Sequence, residues 1–260
     1  MAVAGLVATL IGACSTGGGA AMPVELTVLG AASLKAALDE MKVAYEAANP
    51  GTTLIISSDS STALETQIEQ GAAADVFLSA DTTNPKKLVD GGLAAGAAVD
   101  FAGNELTIIV PTDNPGEVMT PADLAKPGLK VIAAGDEVPI TKYTTQLIDD
   151  LAAEAGYPAD FAAAYAANVA SREENVKGIV TRIETGEGDA GIVYVTDASA
   201  SDSVTRIDIV PESANVPATY AGVVIKASPN QDAATAFLDW VVGPEGQAIL
   251  SSFGFQPPTP

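Results

Sequence analysis

Two hydrophobic periods alternate along the chain. Short apolar runs bounded by Gly, Pro, Asn or Ser read as strands, and stretches with apolar positions every three or four residues read as helices. Val24–Leu29 is the first such run, followed by a helix from about Leu34 to Ala48 that Asn49-Pro50-Gly51 stops. Thr53–Ser57 reads as a strand, Thr62–Gln70 as a helix ending at Gly71, Asp75–Ser79 as a strand, and Asn84–Asp90 as a helix closed by Gly91-Gly92. Leu106–Pro111 (LTIIVP) and Lys130–Ala133 read as buried strands, and a helix follows from about Thr141 to Ala155. Phe161–Ala167 and Val176–Thr185 read as helices, with Gly191–Val195 (GIVYV), Ser203–Val210 and Ala218–Lys226 as further strands. The helices Gln231–Val242 and Pro244–Phe253 complete the pattern.

This alternation predicts an α/β fold whose sheets are mostly parallel and flanked by helices on both faces. The length suits two such units. The strands at Leu106–Pro111 and Ala218–Lys226 fall where the chain would leave a first domain and return to it. The expected division is therefore a discontinuous domain I, residues 24–105 and 220–260, around an inserted domain II, residues 106–219. A cleft between two α/β domains collects loops and helix starts from the carboxyl ends of the strands, so the ligand site is expected there.

Composition narrows the chemistry. The chain is 48% hydrophobic and 17% charged, enough to bury a full core. Its formal net charge is −21, which opposes binding to a phosphate backbone through a basic groove, so no nucleic-acid partner is expected. There is no histidine, which removes Ser-His-Asp and Cys-His catalytic pairs and imidazole ligation of zinc. A single cysteine, Cys14, precludes an intramolecular disulfide and a thiolate cluster.

Cys14 has a context of its own. Met1–Ala13 (MAVAGLVATLIGA) is uncharged, apolar and too short for a stable bilayer span. It ends in small residues directly before the cysteine, and Ser15-Thr16-Gly17-Gly18-Gly19 then gives a flexible tether. Residues 1–23 thus resemble a bacterial lipoprotein signal and tether, although a basic n-region is lacking. The expectation is an exported protein, periplasmic or at the cell surface, anchored to the membrane by a lipid on Cys14. An ordinary cleaved secretory signal is the alternative.

The richest signal lies at four helix starts. Ala31-Ala32-Ser33-Leu34, Asp59-Ser60-Ser61-Thr62, Val138-Pro139-Ile140-Thr141 and Glu174-Asn175-Val176-Lys177 each follow a strand, two in each expected domain. A helix N-terminus presents unpaired backbone N–H groups and about half a positive charge, and a serine hydroxyl adds a donor. Taken singly, Ser33 and Ser60 read more simply as caps of their own helices. Only convergence on one cleft would call for another account.

The segments LGAASLKAALDEM, SSDSSTALETQIEQGAAADVFLSAD, EVPITKY, ENVKGIV and GIVYVTDA resemble, in order and spacing, the periplasmic molybdate-binding proteins of ABC transporters. The resemblance runs from about Glu25 to Phe255 and implies the two-domain fold of type II periplasmic binding proteins. It further implies capture of a tetrahedral oxyanion, molybdate or tungstate, for delivery to a membrane permease by a monomer without catalytic activity or a resident cofactor. Its oxyanion-binding positions fall on Ser33, Ser60, Ile140, Val176 and Tyr194: hydroxyl donors at Ser33, Ser60 and Tyr194, backbone donors at Ile140 and Val176. These five would contact the molybdate oxygens, with no direct metal ligand. Ser61 is one place from Ser60, and Ile140-Thr141 stands where alanine followed by glycine is usual. The stretch from Thr141 to Asn175 is longer than in familiar relatives. None of the five is Lys, Arg or His, so neutral dipoles would solvate the dianion.

Rival readings rest on carboxylates. Asp75, Asp81, Asp189 and Asp197 lie in or after strands and could in principle serve a hydrolase, but a structural hydrogen-bonding role is the simpler account. Ser33 would need Lys35 or Lys177 as a base. A binding protein of the same fold for sulfate, phosphate or a metal ion is the closer rival. Phosphate can carry a proton and gains from an acceptor, for which Asp59 is placed.

Overall fold

The computed structural model describes residues 23–258. Cys14 and the rest of the leader lie outside the described residues. In chain order the elements are β1 (Val24–Ala31), α1 (Lys35–Ala48), β2 (Thr52–Asp59), α2 (Ser61–Glu69), β3 (Val76–Ser79), α3 (Thr83–Asp90), β4 (Val99–Asn104) and β5 (Leu106–Pro111). They continue as β6 (Val131–Ala134), α4 (Pro139–Ala153), α5 (Phe161–Asn168), β7 (Val169–Glu173), α6 (Val176–Glu184), β8 (Ala190–Tyr194) and α7 (Val195–Ser199). The last four are β9 (Val204–Ile207), β10 (Ala218–Val224), α8 (Gln231–Val242) and α9 (Pro244–Ser252).

The strands form two sheets, ordered β2-β1-β3-β10-β4 and β7-β6-β8-β5-β9. The chain passes from the first sheet to the second at Glu105 and returns between Ile207 and Ala218. Both sheets are mixed, which corrects the expectation of mostly parallel pairing. β2-β1-β3 and β7-β6-β8 are parallel, whereas β10 joins β3 and β4, and β5 joins β8 and β9, antiparallel. Alternation of strands and helices fixes the parallel triplets, because crossover helices join parallel neighbours. The antiparallel partners arrive from distant sequence, which periodicity does not record.

Local sequence explains the elements. Every residue of β3, β5 and β8 is buried, as expected for strands covered on both faces. α1 turns Ala37, Leu38, Met41 and Tyr45 to the core, and α6 turns Val176, Ile179, Val180 and Ile183. α4 and α9 start with proline at the first turn, where its missing N–H costs nothing. Gly30 lets β1 lie close against α1, since a Cβ there would run into the Leu38 side chain.

Three elements are absent from the sequence reading. β4 and β7 are short edge strands: β7 is exposed or half-buried throughout, and the buried Phe101-Ala102-Gly103-Asn104 of β4 holds too few apolar side chains to read as a run. The GIVYV strand ends at Tyr194, and Val195 opens the short helix α7.

Candidate functional site

A small cleft between the two sheets is lined by Ala31, Ala32, Ser33, Ser60, Ser61 and Ala80 on one wall and by Val138, Pro139, Ile140, Asn175, Val176 and Tyr194 on the other. All five residues singled out for oxyanion contact line it. Four larger cavities lie elsewhere among the described residues, and none of them joins the two walls of this cleft. The chemistry described below belongs to the small cleft.

Each donor is set by a helix start. Ser60 is the N-cap of α2, yet its hydroxyl makes no capping bond. Ser33 sits inside the 3-10 turn Ala32–Leu34 that leads into α1, with no side-chain cap bond either. Capping, the simpler account of both serines, is therefore not what their hydroxyls do. Ser61 differs: its Oγ accepts the Ala80 N–H at 3.0 Å and ties α2 to the end of β3. The Ile140 N–H lies in the first turn of α4, just after Pro139, and the Val176 N–H opens α6, so neither has an intrahelical acceptor. Asn175 fixes the α6 start, its side chain accepting the Gly178 N–H at 3.2 Å.

Tyr194 ends β8 with its ring 1% exposed and its hydroxyl buried without a hydrogen-bond partner. Edge-to-face contacts with Tyr143 and Tyr220, centroids 6.3 and 5.6 Å away, hold the ring. Burial, reinforced by nearby Tyr220, Tyr143 and acidic groups, pushes its pKa well above the ordinary tyrosine value. The hydroxyl therefore keeps its proton and can donate it.

No Lys, Arg or His lines the cleft. Lys177, next to Val176, places its ammonium 2.8 Å from Oδ1 of Asp197, whose side chain is fully buried, although the approach is poorly directed for a hydrogen bond. Burial raises the Asp197 carboxyl above the usual range, and Lys177 draws it back down. The other acids singled out earlier hold structure. Asp75 accepts from Thr27 N–H at 2.7 Å, Asp81 from Ser79 Oγ at 2.8 Å and Asn84 N–H at 3.1 Å, and Asp189 from Lys130 N–H at 2.8 Å. Asp59 accepts from Ser60 N–H at 2.7 Å and, across the cleft, from Asn175 Nδ2 at 3.1 Å. Thr62 Oγ1 also crosses, donating to the Glu137 carbonyl at 2.6 Å. Among the described residues no group of three or more His, Cys, Asp or Glu could hold a metal ion.

Sequence reasoning missed Tyr220 and Asn104. Tyr220 Oη lies 2.9 Å from Ser33 Oγ, and Asn104 Nδ2 reaches both Tyr220 Oη at 3.3 Å and Thr196 Oγ1 at 2.9 Å. Both sit in or beside the crossings between the sheets, where a tyrosine in an apolar strand reads as core.

The chain is similar to several known proteins along most of its length. It is 35% identical to the molybdate-binding protein ModA of Mycobacterium tuberculosis, over 99% of this chain and 95% of that protein. It is 30% identical to the putative ABC transporter substrate-binding lipoprotein YvgL of Bacillus subtilis, over 89% and 86%. The solved periplasmic molybdate-binding protein of Azotobacter vinelandii superposes with a TM-score of 0.74 at 25% identity, covering 90% of this chain and 100% of that one. Residues 26–256 match the family model of bacterial extracellular solute-binding proteins, and to that family the chain belongs.

Proposed function

We propose that this protein captures molybdate, and tungstate with it, outside the cytoplasm and delivers it to the membrane permease of an ABC importer. The single observation that carries this reading is the Tyr194 hydroxyl, buried and unpartnered in a cleft that also holds Ser33, Ser60 and two helix starts. An unpaired buried hydroxyl costs about 1–3 kcal/mol, a cost that a bound acceptor removes. Three hydroxyls and the N–H groups of Ile140 and Val176 present donors, which suits a fully deprotonated oxyanion. The likeness to molybdate-binding proteins supplies the identity of that anion.

Monohydrogen phosphate is the weaker fit. It needs an acceptor, and the Asp59 carboxylate is not among the groups that line the cleft. The protein acts as a monomeric carrier with no catalytic step and no resident cofactor, the five residues touching only the oxygens of the ligand. Because both walls contribute donors, binding draws the two halves together, with bending at the crossings near Leu106 and Thr219. The lipid anchor on Cys14 is supported by the small residues before it and by the lipoprotein description of the Bacillus subtilis relative.

Thermal melts of the purified protein with molybdate, tungstate, sulfate and phosphate test the reading. A ligand at one hundred times its Kd adds about 2.7 kcal/mol to the native state. Molybdate and tungstate are expected to raise Tm alike and sulfate far less. A rise with sulfate equal to that with molybdate would reject the assignment.

A further inference from the structure

We infer that Asn104 and Tyr220 are positioning residues that lock Ser33 as a hydrogen-bond donor, making its wall of the cleft selective for an oxyanion bearing no proton. The inference rests on the reading of the cleft as an oxyanion site and goes beyond it to two residues outside the contact set.

Proton accounting gives the direction of the chain. Asn104 Oδ1 accepts the Glu105 N–H at 3.0 Å, which fixes the amide so that its nitrogen faces Tyr220 and Thr196. The two amide protons go to Thr196 Oγ1 at 2.9 Å and Tyr220 Oη at 3.3 Å. Tyr220 is fully buried, so its own proton requires an acceptor. Among the described residues its hydroxyl has two hydrogen-bond partners, the Asn104 nitrogen, which cannot accept, and Ser33 Oγ at 2.9 Å. Tyr220 therefore donates to Ser33. One lone pair of the Ser33 oxygen is then taken, and among the described residues its proton has no other acceptor, so only a ligand in the cleft that Ser33 lines can receive it.

The consequence is one of specificity. A serine free to rotate serves a protonated and an unprotonated oxyanion equally, because a hydroxyl both donates and accepts. A serine fed from behind keeps one free lone pair, but accepting through it would strand its own buried proton, so it binds best by donating. An oxyanion that carries its own proton at that position leaves one of the two protons without an acceptor. The network also ties the first wall to the second, because Thr196 follows Tyr194 by two residues and Asn104 ends the strand before the outward crossing. Burial, and after it the nearby Asp197, disfavours ionisation of Tyr220, which keeps the relay proton in place.

The test combines a direct and an energetic readout. Neutron diffraction of the deuterated, unliganded protein is expected to show the deuteron bonded to Tyr220 Oη and pointing at Ser33 Oγ. A deuteron on Ser33 pointing at Tyr220 overturns the inference, whatever anion the protein prefers. Calorimetry with molybdate on wild type, Tyr220→Phe, Ser33→Ala and the double variant gives the second readout. Tyr220→Phe is expected to weaken molybdate about tenfold in the wild-type background and less than twofold in the Ser33→Ala background. An equal loss in both backgrounds assigns Tyr220 a merely structural role. The ratio of molybdate to monohydrogen phosphate affinity is expected to fall at least fivefold in Tyr220→Phe, and an unchanged ratio removes the donor-only role. Preference of the wild type for sulfate would refute the molybdate reading while leaving the deuteron to decide the relay.

Discussion

The two sheets share one pairing scheme, a parallel triplet followed by two antiparallel partners, yet the walls they bring to the cleft use different donors. The wall from the first sheet offers the hydroxyls of Ser33 and Ser60. The wall from the second offers main-chain N–H groups at the starts of α4 and α6, together with Tyr194. A hydroxyl donor depends on side-chain identity and is removed by one substitution. A main-chain donor survives every substitution but proline, so sequence can drift there, and Ile140 stands where alanine is usual in the resembling family. The two walls should therefore respond to mutation in opposite ways.

The largest effect is expected beneath the second wall. Lys177→Met leaves the fully buried Asp197 carboxylate without its cation. Breaking a buried pair typically costs about 3–5 kcal/mol, and the 34% exposure of Lys177 reduces this to about 2–3. The sign with pH follows from the raised Asp197 pKa. Native protein holds that proton more tightly than unfolded chain, so the stability linked to it is present at low pH and is lost as pH rises from the ordinary carboxylate value through the raised one. Urea melts should show the variant further below wild type at pH 7 than at pH 4. A gap independent of pH would separate Lys177 from Asp197.

Next in size is the main-chain donor. Val176→Pro deletes the N–H at the first position of α6, where proline fits, and the extended Asn175 backbone (φ −157°, ψ 171°) tolerates a following proline. Affinity for molybdate should fall by roughly 1.5–3 kcal/mol, the value of a hydrogen bond to a charged group. Val176→Ala, which keeps the N–H, should fall far less in the same calorimetric titration. Equal losses would mean that packing, not the donor, matters at this wall.

The serine pair sharpens the contrast within the first wall. Ser60→Ala should weaken binding about tenfold and leave Tm nearly unchanged, since its hydroxyl caps nothing. Ser61→Ala should do the reverse, costing about 1–3 kcal/mol of stability by stranding the Ala80 N–H, with affinity nearly kept. Exchange of these outcomes would move the contact from Ser60 to Ser61.

The smallest effect is a gain. Tyr194→Phe keeps the ring in its aromatic cluster and removes a buried hydroxyl that has no partner without ligand. Unliganded stability should rise by up to about 1 kcal/mol while molybdate affinity falls. A loss of unliganded stability would show that the hydroxyl has a partner in the free protein.

Periodicity located nearly every helix and every fully buried strand, because burial on one or both faces writes itself into local sequence. Edge strands β4 and β7 lack that imprint, and the GIVYV run does not show that the strand stops at Tyr194 rather than Val195. The five candidate contacts were reached through motif resemblance, and the four helix starts that contain or adjoin them were visible as strand-to-helix turns. The serines were ambiguous in sequence for a physical reason: a hydroxyl at a helix start can cap or can face outward, and both use the same residue in the same place. Only the absence of capping bonds in the fold separates the two.

What the sequence determined by itself is therefore local: the order of strands and helices, the serine and main-chain donors at the helix starts, and the lack of histidine and of a second cysteine. Tertiary structure alone decided which strands pair antiparallel, that four helix starts share one cleft, and that Asn104, Tyr220 and Thr196 bridge its walls. Those facts depend on contacts between residues as distant as Ser33 and Tyr220, and a hydrogen bond across such a separation leaves no period in the chain.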